Sequence, residues 1–228
     1  MFRFCKTGNM RFISHLDLSR LFKRAIRKAQ IRIGFSNGFN PHELVNIVQP
    51  LSLGYEGISE YFEIDTICKY DSEELIEALN TSMPEGIRFY ACKEIPAVSS
   101  NMSGRCEYAL YETVLPFCEV ITSDSLRTFL DQKVITIIKK DKKTKKPVEK
   151  DIKGYILNCS GPEITEGSIT IEMTLRCASN ETLNPGKLLE SFMRYLSVDI
   201  GTEYYKIIRK DILGKSSEGK LVSLYEIA

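Results

Sequence analysis

The order of short structural patterns in the first 97 residues limits the fold more than any other feature of this sequence. Runs with period-two alternation indicate strands, and runs with apolar residues at helical spacing indicate helices. The predicted elements are a strand at Phe2–Lys6, a helix of about fifteen residues capped by Ser14, strands at Val45–Gln49 and Ser59–Ile67, a helix from Asp71 or Ser72, and a strand at Ile87–Ile95. The order is therefore strand, helix, strand, strand, helix, strand.

The second half repeats this order after a predicted linker at Ala97–Gly104, with a lysine-rich excursion inserted. Its predicted elements are strands at Cys106–Leu115, Val134–Lys139, Ile152–Cys159, Ser168–Arg176 and Tyr204–Ile212, and helices at Ser123–Gln132 and from Asn184 to near Leu196. We interpret the chain as an α+β protein of two tandem ferredoxin-like (βαββαβ) units with antiparallel sheets. The predicted domains are residues 1–97 and an embellished unit at 98–228 with a lysine-rich hairpin.

Charge is strongly segregated along a chain whose net charge is only +1. Residues 1–32 hold nine basic side chains and one acidic one, whereas residues 33–97 hold three basic and eleven acidic ones. The segment Lys139–Lys153 adds eight lysines against three acids. The net charge excludes a uniformly basic protein, but local patches of this kind can bind phosphate. The alternative is that the first helix pairs with the acids and that the lysines cover a solvated hairpin.

Composition and cysteine spacing exclude several other classes. With 43% apolar and 27% charged residues, the chain can bury a core. It has no apolar stretch near the ~20 residues of a membrane helix and no signal-peptide core, so we expect a cytoplasmic protein. Its seven cysteines contain no CxxC pair, which predicts buried free thiols. With only two histidines available, we expect no metal site and no cofactor.

Two segments hold the residues with chemical potential. His15 lies at the start of the first helix, where the helix N-terminus and nearby cations favour its neutral form, which can act as a general base. The alternative is a histidine that only caps and packs. In the loop Gly34–His42, Phe35 and Phe39 could stack on bases and His42 could reach a phosphate. The alternative there is an internally packed loop with buried phenylalanines.

The candidate site residues follow from these segments and from the basic elements. The catalytic candidates are His15 and His42. The candidate RNA-binding residues are Arg11, Arg20, Arg24, Arg27, Lys28, Ser36, Asn37, Gly38, Phe39, Asn40, Lys142, Lys143, Lys145 and Lys146.

The segments TGNMRFISHLDLSRLFKRAIRKA, FSNGFNPH and PLSLG resemble a bacterial family of radical-SAM-associated proteins of unknown function. The resemblance implies a free-standing accessory domain that works with a separate radical-SAM enzyme, because this chain has no CxxxCxxC motif. The motif residues that it carries over are His15, Asp17, Arg20, Gly38, Phe39, Asn40, Pro41, His42 and Gly54. A more distant resemblance is to CRISPR repeat-RNA-processing endoribonucleases, which cut RNA without metal, although a convincing glycine-rich loop is missing at Gly214–Gly219.

Three hypotheses follow for the function. We favour a non-catalytic accessory protein that binds RNA or tRNA through the basic helix, the lysine hairpin and the Gly34–His42 loop. The alternative is a metal-independent ribonuclease or RNA-modifying enzyme that uses His15. The third hypothesis is a protein–protein adaptor that docks a radical-SAM enzyme through the cations of the first helix. The sequence leaves the oligomeric state open.

Overall fold

The protein is described by a computed structural model that covers residues 1–96, 101–140 and 146–228. These residues form an α+β fold, as predicted, and divide into two compact units. The first unit comprises Met1–Cys106 together with Asp211–Ala228, and the second comprises Glu107–Lys210. The predicted domain ranges 1–97 and 98–228 stay a prediction, and these units differ from them mainly by returning the last 18 residues to the first unit. None of the helices in the described parts is both long and apolar enough to cross a membrane.

The described residues form eleven strands and six α-helices. The strands are β1 (Phe2–Lys6), β2 (Val45–Ile47), β3 (Glu56–Ile64), β4 (Ile87–Cys92), β5 (Tyr108–Pro116), β6 (Thr136–Lys140), β7 (Pro147–Asp151), β8 (Ile156–Thr165), β9 (Ser168–Arg176), β10 (Lys206–Lys215) and β11 (Leu221–Ser223). The helices are α1 (His15–Lys28), α2 (Ser72–Asn80), α3 (Met102–Arg105), α4 (Ser123–Leu130), α5 (Pro185–Leu196) and α6 (Leu224–Ile227).

In the first unit, β1 lies between β4 and β3 and pairs antiparallel with both, and β2 pairs antiparallel with one end of β3. The helix α1 buries its apolar face, including Phe22, against this sheet. The ring of Phe22 meets those of Phe4, Phe62 and Phe89 at centroid distances of 4.7–5.1 Å. Because side chains alternate along a strand, the same face of β1 that carries Phe2 and Phe4 also carries the buried Lys6.

In the second unit, β9 lies between β5 and β8 in an antiparallel sheet. The helices α4 and α5 contact each other through the rings of Phe129 and Phe192, whose centroids are 5.0 Å apart. The lysine-rich excursion includes β7, which was not predicted and which pairs with β6 to form a separate two-stranded sheet. Of the residues between these strands, 141–145 lie outside the described part.

Three local predictions need correction. The predicted linker Ala97–Gly104 is only partly described, and its described end belongs to α3, where Asn101 caps the helix and Met102 is fully buried. Burial of an apolar side chain in the core is what turns this polar segment into a helical turn. The elements β11 and α6 at the C-terminus were not predicted. All seven cysteines are free thiols, but only Cys106 and Cys177 are buried; Cys68 is exposed and the other four are half-buried.

Candidate functional site

The amino-terminal end of α1 is fixed by a capping interaction that the sequence predicted. The Ser14 hydroxyl accepts a hydrogen bond from the Asp17 backbone N–H at 3.1 Å and donates one to the Asp17 carboxylate at 2.7 Å. The bond from Ser14, followed by the bond from Arg20, lowers the pKa of the Asp17 carboxyl. Asp17 is therefore a structural anion of the first turn, and it leaves His15 exposed at the first helical position.

A small cavity lies beneath His15 and is lined by two buried charged side chains, Lys6 and Glu60. Its volume is about 10 Å³, close to the space of one water molecule. The Lys6 ammonium also donates to the Arg11 carbonyl at 3.4 Å. Lysine and glutamate are rarely buried unless they are paired, so their presence in this cavity is unusual. The geometry thus gives His15 two titratable neighbours in one cavity.

Sequence reasoning missed Lys6 and Glu60, although a signal for Lys6 was present. The strand β1 alternates Phe2, Arg3, Phe4, Cys5 and Lys6, so a lysine stands where the pattern requires an inward-facing apolar residue. Glu60 could not be found in the same way. Its position opposite Phe4 depends on the pairing register of β1 with β3, which includes an irregularity between Phe4 and Lys6.

The carboxyl-terminal half of α1 carries cations that are only partly neutralised. The buried carboxylate of Glu43 pairs with the Arg27 guanidinium at 2.7 Å and with the Lys23 ammonium at 3.5 Å. Arg24 and Lys28 are exposed, and neither makes an ion pair with any residue in the described ranges. The acids that follow α1 therefore neutralise one side of the helix and leave another side charged.

The two remaining basic candidates of this region, Arg20 and Arg11, form ion pairs closer to the start of α1. Arg20 pairs with Asp17 at 2.9 Å, three residues earlier on the helix. Arg11 approaches Glu56 at 3.8 Å, and its guanidinium lies 4.7 Å from the centroid of the Phe12 ring. Arg20 stays exposed in its ion pair and Arg11 is half-buried, so both guanidinium groups can still approach a phosphate.

The Gly34–His42 loop is a short hairpin that presents its aromatic rings to solvent. Its base is closed by the bridge between Phe35 and Glu43 and by the Ser36 N–H, which donates to the His42 carbonyl at 2.9 Å. The Ser36 hydroxyl lies 2.7 Å from Nδ1 of His42. Phe35 is 57% exposed and Phe39 is fully exposed at the tip. The alternative of an internally packed loop with buried phenylalanines is therefore wrong.

The tip of this hairpin contains the other loop candidates, all of them exposed. Asn37, Gly38 and Asn40 surround Phe39. Gly38 has a φ of +121°, a conformation that side chains with a Cβ rarely adopt, so this turn requires glycine. The two amide side chains carry hydrogen-bond donors and acceptors beside an exposed ring.

The structure does not bring the two catalytic candidates together. His42 precedes Glu43, which pairs with Lys23 and Arg27, eight and twelve residues after His15 on α1. At 1.5 Å per residue these positions are about 12 and 18 Å from His15 along the helix axis. His15 belongs with Lys6 and Glu60 at one end of α1, whereas His42 belongs to the loop beside the other end.

The lysine-hairpin candidates add little to the description of the site. Lys142, Lys143 and Lys145 lie outside the described residues, and Lys146 is exposed just before β7 in the second unit. Their participation in binding stays a prediction.

The described part of the chain contains one larger cavity, of about 660 Å³, that holds none of the candidate residues. It lies in the first unit between the segment that follows β3 and the end of β4, with Phe2 and Leu75 in its lining. In the described ranges, no three side chains of His, Cys, Asp or Glu are grouped so that they could hold a metal ion.

Comparison with known proteins gives a family and no further description. A family model described as an uncharacterized protein conserved in bacteria (DUF2344) matches residues 1–185, which include α1, its cavity and the hairpin loop. No curated protein matches the chain significantly.

Proposed function

The chain belongs to this uncharacterized family conserved in bacteria (DUF2344), and within it we propose a protein that binds single-stranded RNA or the unpaired parts of a tRNA. The observation that carries the proposal is the junction at Glu43. Its ion pairs with Lys23 and Arg27 hold the base of the hairpin loop against α1. The exposed guanidinium of Arg27 is thereby held at the base of the loop that carries the exposed rings of Phe35 and Phe39. Cations beside aromatic rings are the combination that binds single-stranded nucleic acids.

The phosphate contacts of this proposal come from Arg24 and Lys28, whose charges are exposed and make no ion pair within the described ranges. Arg27 adds a third guanidinium, because its side chain is 68% exposed even while it pairs with Glu43. Three cations on adjacent turns of one helix follow a backbone without reading its sequence.

The base contacts come from the hairpin loop. An unstacked base can lie on the exposed ring of Phe39 or Phe35, and stacking of this kind tolerates any base. The side chains of Ser36, Asn37 and Asn40 offer donors and acceptors for a base edge. A paired helix would hide its bases from this loop, so the proposed ligand is single-stranded or looped RNA.

Salt dependence tests this proposal directly. The affinity of a 12-nucleotide oligouridylate for the full chain should fall by about 0.7 log units per log unit of salt for each phosphate contacted. The double variant Arg24→Gln/Lys28→Gln removes two cations, so its slope should be lower by about 1.4. The matched control Lys69→Gln/Arg88→Gln removes two exposed cations elsewhere in the first unit and should keep the slope. Salt-independent binding, or equal effects of the two double variants, would refute the proposal.

A second candidate function is metal-independent RNA cleavage, and the cavity that His15 shares with Lys6 and Glu60 favours it. In this reaction the 2′-oxygen bonds to the adjacent phosphorus as the bond to the 5′-oxygen breaks. His15 would take the 2′-hydroxyl proton, and the departing 5′-oxygen would take a proton from water, so the products would be a 2′,3′-cyclic phosphate and a 5′-hydroxyl. His15→Ala should then abolish cleavage in EDTA while RNA retention persists, and absence of cyclic-phosphate ends with the wild-type chain would exclude this candidate.

The fold and the partner of this family are also part of the proposal. The order β4-β1-β3-β2 with antiparallel neighbours supports a ferredoxin-like arrangement in the first unit. In the second unit, β9 pairs antiparallel with β5 and β8, and the β6–β7 hairpin is an insertion. We further propose that the chain serves a separate radical-SAM enzyme. Co-purification of such an enzyme with the tagged chain from a native lysate, abolished by RNase treatment, would indicate a partnership through RNA.

A further inference from the structure

We propose that the RNA surface has a second contact point at the amino-terminal end of α1, where one unstacked nucleobase lies over the mouth of the His15 cavity. This inference rests on the proposed RNA binding and adds a site to it. It concerns Phe12, Leu16 and Leu53, which the family resemblance and the charge pattern do not single out as binding residues.

Three exposed apolar side chains lie on the segments that contribute to this cavity or adjoin it. Phe12 is 58% exposed, Leu16 is 65% exposed and Leu53 is 63% exposed, and their near neighbours along the chain, Ile13, His15 and Leu51, line the cavity. The segments that carry Phe12 and Leu53 are joined by a hydrogen bond from the Gly54 N–H to the Arg11 carbonyl at 2.9 Å. A cluster of exposed apolar residues at the edge of a cavity indicates a binding surface.

The polar groups of this mouth suit a nucleobase. The Arg11 guanidinium already lies over the Phe12 ring, and a guanidinium plane on an aromatic ring is a surface on which bases stack. His15 is exposed beside it and can bond to a base edge. The cavity itself is too small for a base, since it holds about 10 Å³, so the base would lie on the mouth against the apolar side chains.

The surface of α1 connects this mouth to the hairpin loop. Leu16, Arg20, Arg24 and Lys28 follow one another at intervals of four residues and therefore lie in one row along the helix, and all four are exposed. The row is about 18 Å long. One strand could thus place a base on the loop, run its phosphates along the arginines and place another base at the mouth.

Single tryptophan reporters can test this path, because the chain contains no tryptophan. Phe12→Trp reports on the mouth and Phe39→Trp reports on the loop tip. Phe117→Trp, at a site that is 49% exposed in the second unit, is the control. Addition of the 12-nucleotide oligouridylate should quench tryptophan emission in Phe12→Trp and Phe39→Trp and leave Phe117→Trp unchanged, since a stacked base quenches only the ring that it contacts.

The outcomes separate the inference from the function on which it depends. Quenching of Phe39→Trp alone would overturn the second contact point and leave the proposed RNA binding intact. Quenching of Phe12→Trp alone would support the mouth but overturn a path shared with the loop. Quenching of neither would overturn both, provided that thermal unfolding shows all three variants to be folded.

A second pair of variants measures the contribution of the mouth. Leu16→Ser/Leu53→Ser should weaken binding of the same oligouridylate roughly tenfold, because loss of one stacked base lowers affinity by about 5- to 150-fold. Leu157→Ser, at a site that is 50% exposed in the second unit, should leave the affinity unchanged. Equal affinity of the double variant and the wild-type chain would show that the apolar mouth serves another partner, such as a protein, and would overturn the inference.

Discussion

Two polar regions of the first unit contain similar residue types but differ in how completely their side chains are paired within the protein. Around Asp211, charged and hydroxyl groups are bonded to one another. Tyr61 donates to the Asp211 carboxylate at 2.5 Å, and the Ser59 hydroxyl donates to it at 3.1 Å. Around the hairpin loop and α1, Glu43 is paired in the same way, but Arg24, Lys28 and Phe39 face solvent.

The Asp211 network attaches the C-terminal segment to the first unit. Arg3 bonds to Ser59 at 2.5 Å and approaches Asp211 at 3.5 Å, and Tyr61 also lies 3.0 Å from the Ser223 hydroxyl. Burial, followed by the bond to Asp211, raises the pKa of Tyr61, which therefore keeps its proton and donates. Every group in this network has a partner inside the protein, so the network acts on stability.

This difference in pairing indicates which region of a protein with balanced charge can bind a ligand. Groups that satisfy one another stabilise the fold, whereas exposed cations and rings beside a fixed loop are available to a ligand. Variants of the first region should change stability without changing RNA affinity, and variants of the second should do the opposite.

The largest expected effect is on the stability of Asp211→Ala. This change removes the carboxylate that accepts hydrogen bonds from the Tyr61 and Ser59 hydroxyls, so the free energy of unfolding should fall by about 3 kcal/mol. Urea unfolding measures the loss, and RNA affinity at a temperature where the variant is folded should not change. A stability loss under about 1 kcal/mol would show that the network is dispensable.

Glu43 is paired within the protein and also adjoins the proposed RNA surface, so Glu43→Gln should change both stability and binding. It removes a buried carboxylate from Lys23 and Arg27, and since Arg27 is largely exposed, the free energy of unfolding should fall by only about 1–2 kcal/mol. The two released cations should make RNA affinity more dependent on salt. An unchanged salt slope would mean that neither cation lies near the RNA.

Phe39→Ala should weaken binding of the oligouridylate roughly tenfold through loss of one stacked base. The ring is fully exposed, so the free energy of unfolding should stay within about 0.5 kcal/mol of the wild-type value. Phe117→Ala is the matched control in affinity titrations. If both alanine variants bind equally, the loop tip is not a stacking platform.

The smallest expected effect concerns the pH dependence of stability at Glu63. Burial raises the pKa of this carboxyl, which accepts bonds from the Asn46 amide at 2.9 Å and the Met102 N–H at 3.4 Å and pairs with no basic side chain among the described residues. A carboxyl whose pKa is higher in the folded chain favours folding while protonated, and that contribution is lost as pH rises through the raised pKa. Glu63→Gln should therefore flatten the decline in stability above pH ~4.5, by no more than about 1 kcal/mol. Parallel melting curves from pH 4 to 8 for both proteins would contradict this expectation.

The secondary-structure elements and the segregation of charge could be predicted from local patterns in the sequence. The cap at Ser14, the bounds of α1 and the element order of residues 1–97 were readable because they depend on patterns within a few residues. The cations of α1 and the tight turn at Gly38 were readable for the same reason.

Which of these groups remain available to a ligand depends on the tertiary structure. Glu43 neutralises Lys23 and Arg27, Glu60 joins Lys6 beneath His15, and the segment that starts at Asp211 returns to the first unit. Each of these depends on strand register or on contacts between residues far apart in sequence, which no local pattern encodes. The net charge of +1 therefore does not describe the charged surface of this protein. The sequence shows which charged residues are present, and folding sets which of them are exposed.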